Sequence, residues 1–85
     1  MRTRIIANPI AGQGRVRRLW PQIHSRLDAA MPADSVRWTA GPGDATTLTR
    51  AALRDGVERV VAVGGDGTFH EVVNGFFAPD GTPLA

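Results

Sequence analysis

The sequence predicts an α/β fold in three layers, in which helices cover both faces of a parallel sheet. Short apolar runs alternate with stretches in which apolar residues recur every three or four positions, as strands and amphipathic helices require. Loops that contain Gly or Pro separate these segments. Strands that alternate with helices pair in parallel through right-handed crossovers. The expected order is therefore β-α-β-α-β-α.

The first strand and the first helix flank a loop of turn-forming residues. Residues 4–7 are an apolar run that stops at Asn8-Pro9, because proline cannot donate the hydrogen bond of a central strand. Apolar residues at helical spacing then predict a helix over residues 16–30. Pro21 lies inside this pattern, so it either kinks the helix or begins its main part after a short turn.

The second strand and the second helix follow from the same signals. Residues 35–39 alternate apolar and polar side chains and predict a strand that ends at Gly41-Pro42-Gly43. Asp44 is a residue type that caps helix N-termini, and Gly56 is one that ends helices. We therefore expect a helix over residues 45–55.

The third strand and the last helix join at a Gly-rich loop. Residues 60–63 are Val-Val-Ala-Val, a run apolar on both faces that predicts a strand buried on both sides. A tight loop, Gly64–Gly67, follows, and Thr68 and Glu71 have the spacing of a helix capping box. The helix behind it carries an apolar stripe that we expect to pack in the core: Phe69, Val72, Val73, Phe76 and Phe77.

The end of the sequence predicts a turn at residues 79–83, followed by the start of another apolar run at Leu84. A parallel sheet of only three strands is a poor stopping point for this architecture. We therefore expect residues 1–85 to be the N-terminal part of a longer α/β domain.

Composition excludes several classes of protein. The 85 residues contain no Cys and two isolated His, which excludes a disulfide framework and a Cys-based zinc site. No apolar run approaches the ~20 residues of a membrane span, and the N-terminus does not form a signal peptide. All ten basic residues are Arg, and the net charge is only +2, so the high isoelectric point does not indicate a nucleic-acid partner. We expect a cytoplasmic protein.

Two Gly-bearing loops follow the first and third strands, at residues 8–14 and 64–68. Ligands of parallel sheets bind at the carboxyl ends of strands, and the helix N-termini behind both loops suit phosphate groups. Arg15, with Arg17 and Arg18, can add positive charge to such a site. The first loop lacks the third Gly of a dinucleotide fingerprint, and the absence of Lys excludes a Walker A motif.

Asp66 is the most specific candidate for chemistry, because it stands between Gly65 and Gly67 at a helix N-terminus. A carboxylate beside a phosphate requires Mg²⁺ between the two groups, or it acts as a base on an attacking hydroxyl. The alternative is that Asp66 only caps the helix, a role for which Thr68 and Glu71 are already available.

Two segments carry a resemblance to a known family. Residues 6–15 read Ile-Ala-Asn-Pro-Ile-Ala-Gly-Gln-Gly-Arg, and residues 63–75 read Val-Gly-Gly-Asp-Gly-Thr-Phe-His-Glu-Val-Val-Asn-Gly. The chain resembles the catalytic domain of the diacylglycerol kinase and sphingosine kinase family, and its bacterial lipid kinases above all. NAD kinases and, more distantly, phosphofructokinases share the Gly-Gly-Asp-Gly-Thr signature, whereas the Asn-Pro-x-Ala-Gly-x-Gly-Arg loop favours lipid kinases.

The resemblance implies a fold of the NAD kinase and diacylglycerol kinase type. Residues 1–85 would be the N-terminal part of its ATP-binding catalytic domain, without the second, β-rich domain, and inactive alone. The implied function is transfer of the ATP γ-phosphate to a lipid hydroxyl, with ATP and Mg²⁺ as cofactors. The implied partners are diacylglycerol or a related lipid alcohol and the inner face of a membrane, which the protein would contact peripherally. A homo-oligomer is compatible with the family.

The resemblance also implies roles for single residues. Asp66 would be catalytic, in the Mg²⁺-phosphate network or as a base. His70 replaces an Asn common in bacterial members, although sphingosine-kinase-like members also carry His, so the subfamily stays open. Together with Arg15 from the charge argument, the expected nucleotide-binding residues are Asn8, Pro9, Ile10, Ala11, Gly12, Thr39, Gly64, Gly65, Asp66, Gly67, Thr68, Phe69 and His70.

Two other functions remain open from the sequence. The first is an NAD kinase-like phosphotransferase whose acceptor is a soluble dinucleotide. The second is a nucleotide-binding module without catalytic activity.

Overall fold

The computed structural model describes residues 2–27 and 35–84. Its elements follow the predicted order, except that the first helix is split in two. They are β1 (Thr3–Ala7), α1 (Arg15–Arg18), α2 (Trp20–Ser25), β2 (Val36–Trp38), α3 (Asp44–Arg54), β3 (Arg59–Val63) and α4 (Asp66–Asn74). No helix within these ranges is long and apolar enough to cross a membrane.

The sheet has three strands in the order β2-β1-β3, and both pairings are parallel. The predicted parallel α/β fold is confirmed. Ala7 at the end of β1 lies opposite Trp38 on one side and Val63 on the other. The three loops that leave the sheet at this edge therefore start side by side.

β1 is the buried strand of the sheet. Ile5, Ile6 and Ala7 are 0% exposed, whereas every residue of β3 is half-buried. The prediction that residues 60–63 are buried on both sides is therefore wrong for the part of the chain that the structure describes. The physical reason is the strand order, since β1 has a neighbour on each side, whereas β3 pairs with β1 alone within residues 2–27 and 35–84.

α3 and α4 pack against each other and against one face of the sheet. The centre of this core is formed by Ile6, Ala45 and Val72, with Leu48 and Phe76 packed around them. The helices approach so closely because Gly75 lies against Thr49 and the backbone of Thr46.

The predicted apolar stripe of α4 divides into two faces. Val72 is buried and Phe76 packs against the core, as expected. Phe69, Val73 and Phe77 instead expose 64%, 42% and 41% of their surfaces. Phe69 and Val73 are four residues apart in α4 and share a helix face that does not pack into the described core, whereas Phe77 lies after the end of α4 and pairs with Pro83.

The break between α1 and α2 confirms one of the two expectations for Pro21. α1 ends at Arg18, with Leu19 as its C-cap, and Pro21 lies in the first turn of α2, where its missing N–H costs no helical hydrogen bond. α2 ends at Ser25. The last three residues of the predicted 16–30 helix lie outside the described residues.

The ends of α3 confirm one predicted signal and contradict the other. Gly56 has φ 86° and ends the helix with bonds from its own N–H to the Leu53 carbonyl and from the next N–H to the Ala52 carbonyl, a Schellman motif. The N-cap, however, is Gly43 and not Asp44. The Asp44 carboxylate instead accepts the N–H of Ala40 at 2.8 Å, which shapes the preceding loop.

The predicted turn at residues 79–83 is confirmed. The chain reverses there, so that Phe77 pairs with Pro83 and the Leu84 N–H bonds to the Phe76 carbonyl at 2.8 Å. The Arg50 side chain of α3 donates to the Phe77 carbonyl at 2.7 Å. This turn closes the end of α4 against α3.

Candidate functional site

A cleft of about 260 Å³ opens at the carboxyl edge of the sheet. The loops after β1 and β2 and the first turns of α3 and α4 form its walls. This is the position at which parallel sheets bind their ligands. The lining residues are Asn8, Pro9, Ile10, Thr39, Ala40, Gly41, Pro42, Ala45, Gly67, Thr68 and Glu71.

The cleft brings together part of the predicted site. Asn8, Pro9 and Ile10 contribute from the first loop, Thr39 from the end of β2, and Gly67 and Thr68 from α4. The remaining predicted residues do not line the cleft, and they lie in the first loop, at the start of α1, in the loop after β3 and in α4. They are Ala11, Gly12, Arg15, Gly64, Gly65, Asp66, Phe69 and His70, and their roles stay predictions.

One wall of the cleft was not expected from the sequence. Gly41 and Pro42 are typical of a strand terminator, and no sequence signal marks Ala40, yet the loop after β2 leaves the sheet at the same edge as the other two loops. Glu71 was assigned to a capping box. Its distance of four residues from Gly67 was a signal for the cleft, because residues at that spacing share a helix face.

Asn8 connects two loops of the site. Its side-chain oxygen accepts the Ile10 N–H at 3.1 Å, and its amide nitrogen donates to the Thr68 hydroxyl at 3.3 Å. Its backbone N–H bonds to the Val63 carbonyl at 2.9 Å. Asn8 therefore holds the loop after β1 in place against β3 and α4, and this contact fixes one wall of the cleft.

Replacing Asn8 by Ala should lower the free energy of unfolding by about 1–2 kcal/mol, because it leaves the Ile10 N–H and the Thr68 hydroxyl without their partner. Urea unfolding of the variant measures the change. Asn74→Ala is a matched control, since the Asn74 side chain is exposed and makes no hydrogen bond with any described residue. Equal stabilities for the two variants would contradict the connecting role of Asn8.

The turn before α4 depends on the absence of a side chain at Gly64. A Cβ atom there would lie 2.5 Å from the Thr68 hydroxyl oxygen and 2.7 Å from the Thr68 Cβ. The backbone can approach α4 this closely only with Gly. The first Gly of the predicted phosphate loop thus has a steric role, while Gly65 serves as the N-cap of α4.

The predicted capping box is wrong. α4 begins at Asp66, so Thr68 lies inside the helix, buried, and accepts a hydrogen bond from Asn8. The Glu71 carboxylate accepts the Gly43 N–H at 3.1 Å and does not return to the start of its own helix. The Thr68 hydroxyl and the Glu71 carboxylate both form hydrogen bonds to other parts of the fold, and the spacing of residues within α4 does not reveal such partners.

Asp66 is exposed in the first turn of α4, where no side chain makes a capping hydrogen bond. Asp66 therefore does not cap this helix through a side-chain hydrogen bond, although its charge interacts favourably with the dipole of α4. Its carboxylate has no hydrogen bond or ion pair with any described residue, so it is available to a ligand. The first-turn N–H groups of a helix also lack partners within the helix, and together with the helix dipole they favour an anion at this end.

The donors present fit a phosphate-bound Mg²⁺ and do not fit an ion held by protein alone. Within residues 2–27 and 35–84, no group of three or more His, Asp or Glu side chains is arranged to hold a metal. Mg²⁺ at nucleotide sites is held by one or two carboxylates and by the phosphates. Asp66 could supply one such carboxylate.

The Arg residues that follow the first loop differ in their contacts. The Arg17 guanidinium stacks over the Trp38 ring at 4.7 Å, and Trp38 packs edge-on against Trp20 at 5.0 Å. This cation–π contact fixes α1 beside β2. Arg15 is exposed, lies over Gly12 and makes no ion pair with a described residue, so it remains the candidate for a ligand phosphate.

Comparison with known proteins agrees with the sequence motifs. The family model of the diacylglycerol kinase catalytic domain matches residues 2–85. The chain is 39% identical over 74 residues to a diacylglycerol kinase of Staphylococcus carnosus, a match that covers 87% of this chain and 24% of the relative. A diacylglycerol kinase of Staphylococcus haemolyticus is 40% identical over 72 residues, covering 85% and 22%. The chain thus spans about a quarter of the length of these relatives.

Proposed function

Since the chain belongs to the diacylglycerol kinase catalytic domain family, we propose that it is the N-terminal, ATP-binding part of a lipid kinase. The reaction is transfer of the ATP γ-phosphate to the hydroxyl of diacylglycerol or a related lipid alcohol. A second, β-rich domain completes the enzyme. The lipid substrate implies peripheral contact with the inner face of a membrane.

The observation that carries this proposal is the free Asp66 carboxylate at the N-terminus of α4, beside the cleft of Asn8, Thr39 and Thr68. The charge of Asp66 interacts favourably with the dipole of α4, yet its carboxylate is exposed and unpaired with any described residue, so it is free to contact a ligand. A kinase needs such a group, because phosphoryl transfer depends on positioning and on charged groups at the phosphates.

In this proposal, different residues of the chain bind the phosphates and transfer the proton. The first turn of α4 holds phosphate oxygens through its N–H groups, and Arg15 adds positive charge from the start of α1. Mg²⁺, when bound, neutralises charge on the phosphates. Asp66 holds that ion or accepts the proton of the lipid hydroxyl, and the apolar walls at Pro9, Pro42 and Ala45 shield the nucleotide from water.

An acceptor assay tests the proposed function. The full-length protein is incubated with labelled ATP, Mg²⁺ and either diacylglycerol in lipid vesicles or NAD. We expect labelled phosphatidic acid and no labelled dinucleotide. Labelled NADP without lipid product would identify the NAD kinase-like alternative, and ATP binding without transfer to either acceptor would identify the non-catalytic module.

A further inference from the structure

We propose that Glu71 is a positioning residue that holds one wall of the nucleotide cleft in place, an inference that rests on the proposed ATP site. That wall is the α3 entry loop, defined here as residues 39–43. Ala40, Gly41 and Pro42 of this loop line the cleft. Glu71 lies opposite them on α4 and lines the same cleft.

The composition and the exposure of the α3 entry loop do little to restrict its backbone to one conformation. Gly41 and Gly43 flank Pro42, and glycine has more backbone freedom than any other residue. Ala40, Gly41, Pro42 and Gly43 are all exposed, so packing contributes little. The loop must therefore be fixed by hydrogen bonds.

Within the described residues, other elements of the fold hold the loop at its two ends. At the first end, the Thr39 N–H bonds to the Ala7 carbonyl at 2.9 Å and continues the sheet. At the second end, the Gly43 N–H donates to the Glu71 carboxylate at 3.1 Å. The bonds between Ala40 and Asp44 and between Asp44 and Gly41 are local to the loop and the start of α3. Glu71 is thus the anchor from across the cleft.

The side chain of Glu71 can be changed without separating the two helices. The bond that joins α3 to α4 at this point runs from the Thr46 hydroxyl to the backbone carbonyl of Glu71, at 2.7 Å, and does not involve the carboxylate. Glu71 is half-buried, and Ala is a better helix former than Glu. Glu71→Ala therefore removes the anchor and retains α4.

Holding the Gly43 N–H requires a hydrogen-bond acceptor at position 71, and it does not require a negative charge there. A Gln amide oxygen accepts the same N–H with the same side-chain length. A negative charge beside bound phosphates would if anything repel them. Glu71→Gln should therefore keep the wall in place, which separates an anchor from a metal ligand or a base.

Hydrogen exchange and kinetics of the full-length protein test the anchor together. Without nucleotide, Glu71→Ala should raise the exchange rate of the Gly43 amide about tenfold, which corresponds to loss of one hydrogen bond with a net value of about 1.4 kcal/mol. Its KM for ATP should rise by about the same factor with kcat changed less than about twofold, because only binding geometry is lost. Glu71→Gln should restore the KM to within about twofold of the original protein.

Glu58→Ala is the matched control. Glu58 also accepts a backbone N–H, that of Arg2 at 3.1 Å, but at the amino edge of the sheet. It should change neither the Gly43 exchange rate nor the KM for ATP. Unchanged Gly43 exchange in Glu71→Ala would overturn the proposal, and so would a Glu71→Gln variant as impaired as Glu71→Ala. If the original protein does not bind ATP, the proposed function fails while the exchange measurement still decides the anchor.

Discussion

Replacing Asp66 by Asn should reduce kcat of the full-length kinase by about a hundredfold to ten-thousandfold, the range expected for loss of a group that moves a proton or holds charge at the reacting centre. The amide keeps the size of the carboxylate but neither accepts a proton nor holds Mg²⁺ well. The Asp66 side chain is exposed and makes no hydrogen bond or ion pair with a described residue, so its substitution should leave the thermal unfolding midpoint within about 2 °C.

Asp80→Asn provides the control for this substitution. Asp80 lies in the turn after α4, and its carboxylate accepts the Thr82 N–H at 2.9 Å, a contact that Asn also makes. This variant should keep its kcat. A near-original kcat in Asp66→Asn, measured with labelled ATP and diacylglycerol, would show that the role assigned to Asp66 is wrong.

Replacing Gly75 by Ala should lower the free energy of unfolding by about 2–3 kcal/mol, the upper part of the range for overpacking a core. A Cβ atom at Gly75 would lie 2.8 Å from the Thr49 Cγ2 and 2.9 Å from the Thr46 carbonyl oxygen. Thr49 is fully buried and the carbonyl belongs to the backbone of α3, so neither can move aside. The helices must separate, and urea unfolding measures the cost.

Gly67→Ala makes the same chemical change inside α4, without the clash expected at Gly75, which is the C-cap of that helix. A Cβ atom at Gly67 meets nothing within 4 Å, and Ala is favoured over Gly in a helix by up to about 1 kcal/mol. This variant should be as stable as the original protein or slightly more so. If both variants unfold at the same urea concentration, close packing of α3 on α4 at Gly75 is not a determinant of stability.

The sequence predicted where the proposed ATP site lies, but it did not predict all of the residues that line it. Parallel strands place their following loops at one edge, so the two Gly-bearing loops were expected to meet, and Asn8 and Thr68 do form a hydrogen bond across them. The third wall of the cleft was missed because Gly41 and Pro42 carry no chemical signature. Glu71 was misassigned because its partner, Gly43, lies 28 residues away in the chain.

Properties that arise from neighbours in the chain were readable from the sequence alone. Apolar periodicity identified the strands and helices, Gly56 marked the end of α3, and the Gly-Gly-Asp-Gly-Thr motif identified the candidate phosphate loop. Pro21 indicated either a kink or a second helix start within residues 16–30. Strand order was decided only in the tertiary structure. It buries Ile5 and Ile6 of β1 and leaves the more apolar β3 at the edge of the described sheet. The reason is physical, since a residue's burial and hydrogen-bond partner depend on which distant segment packs beside it, and local periodicity carries no record of that choice.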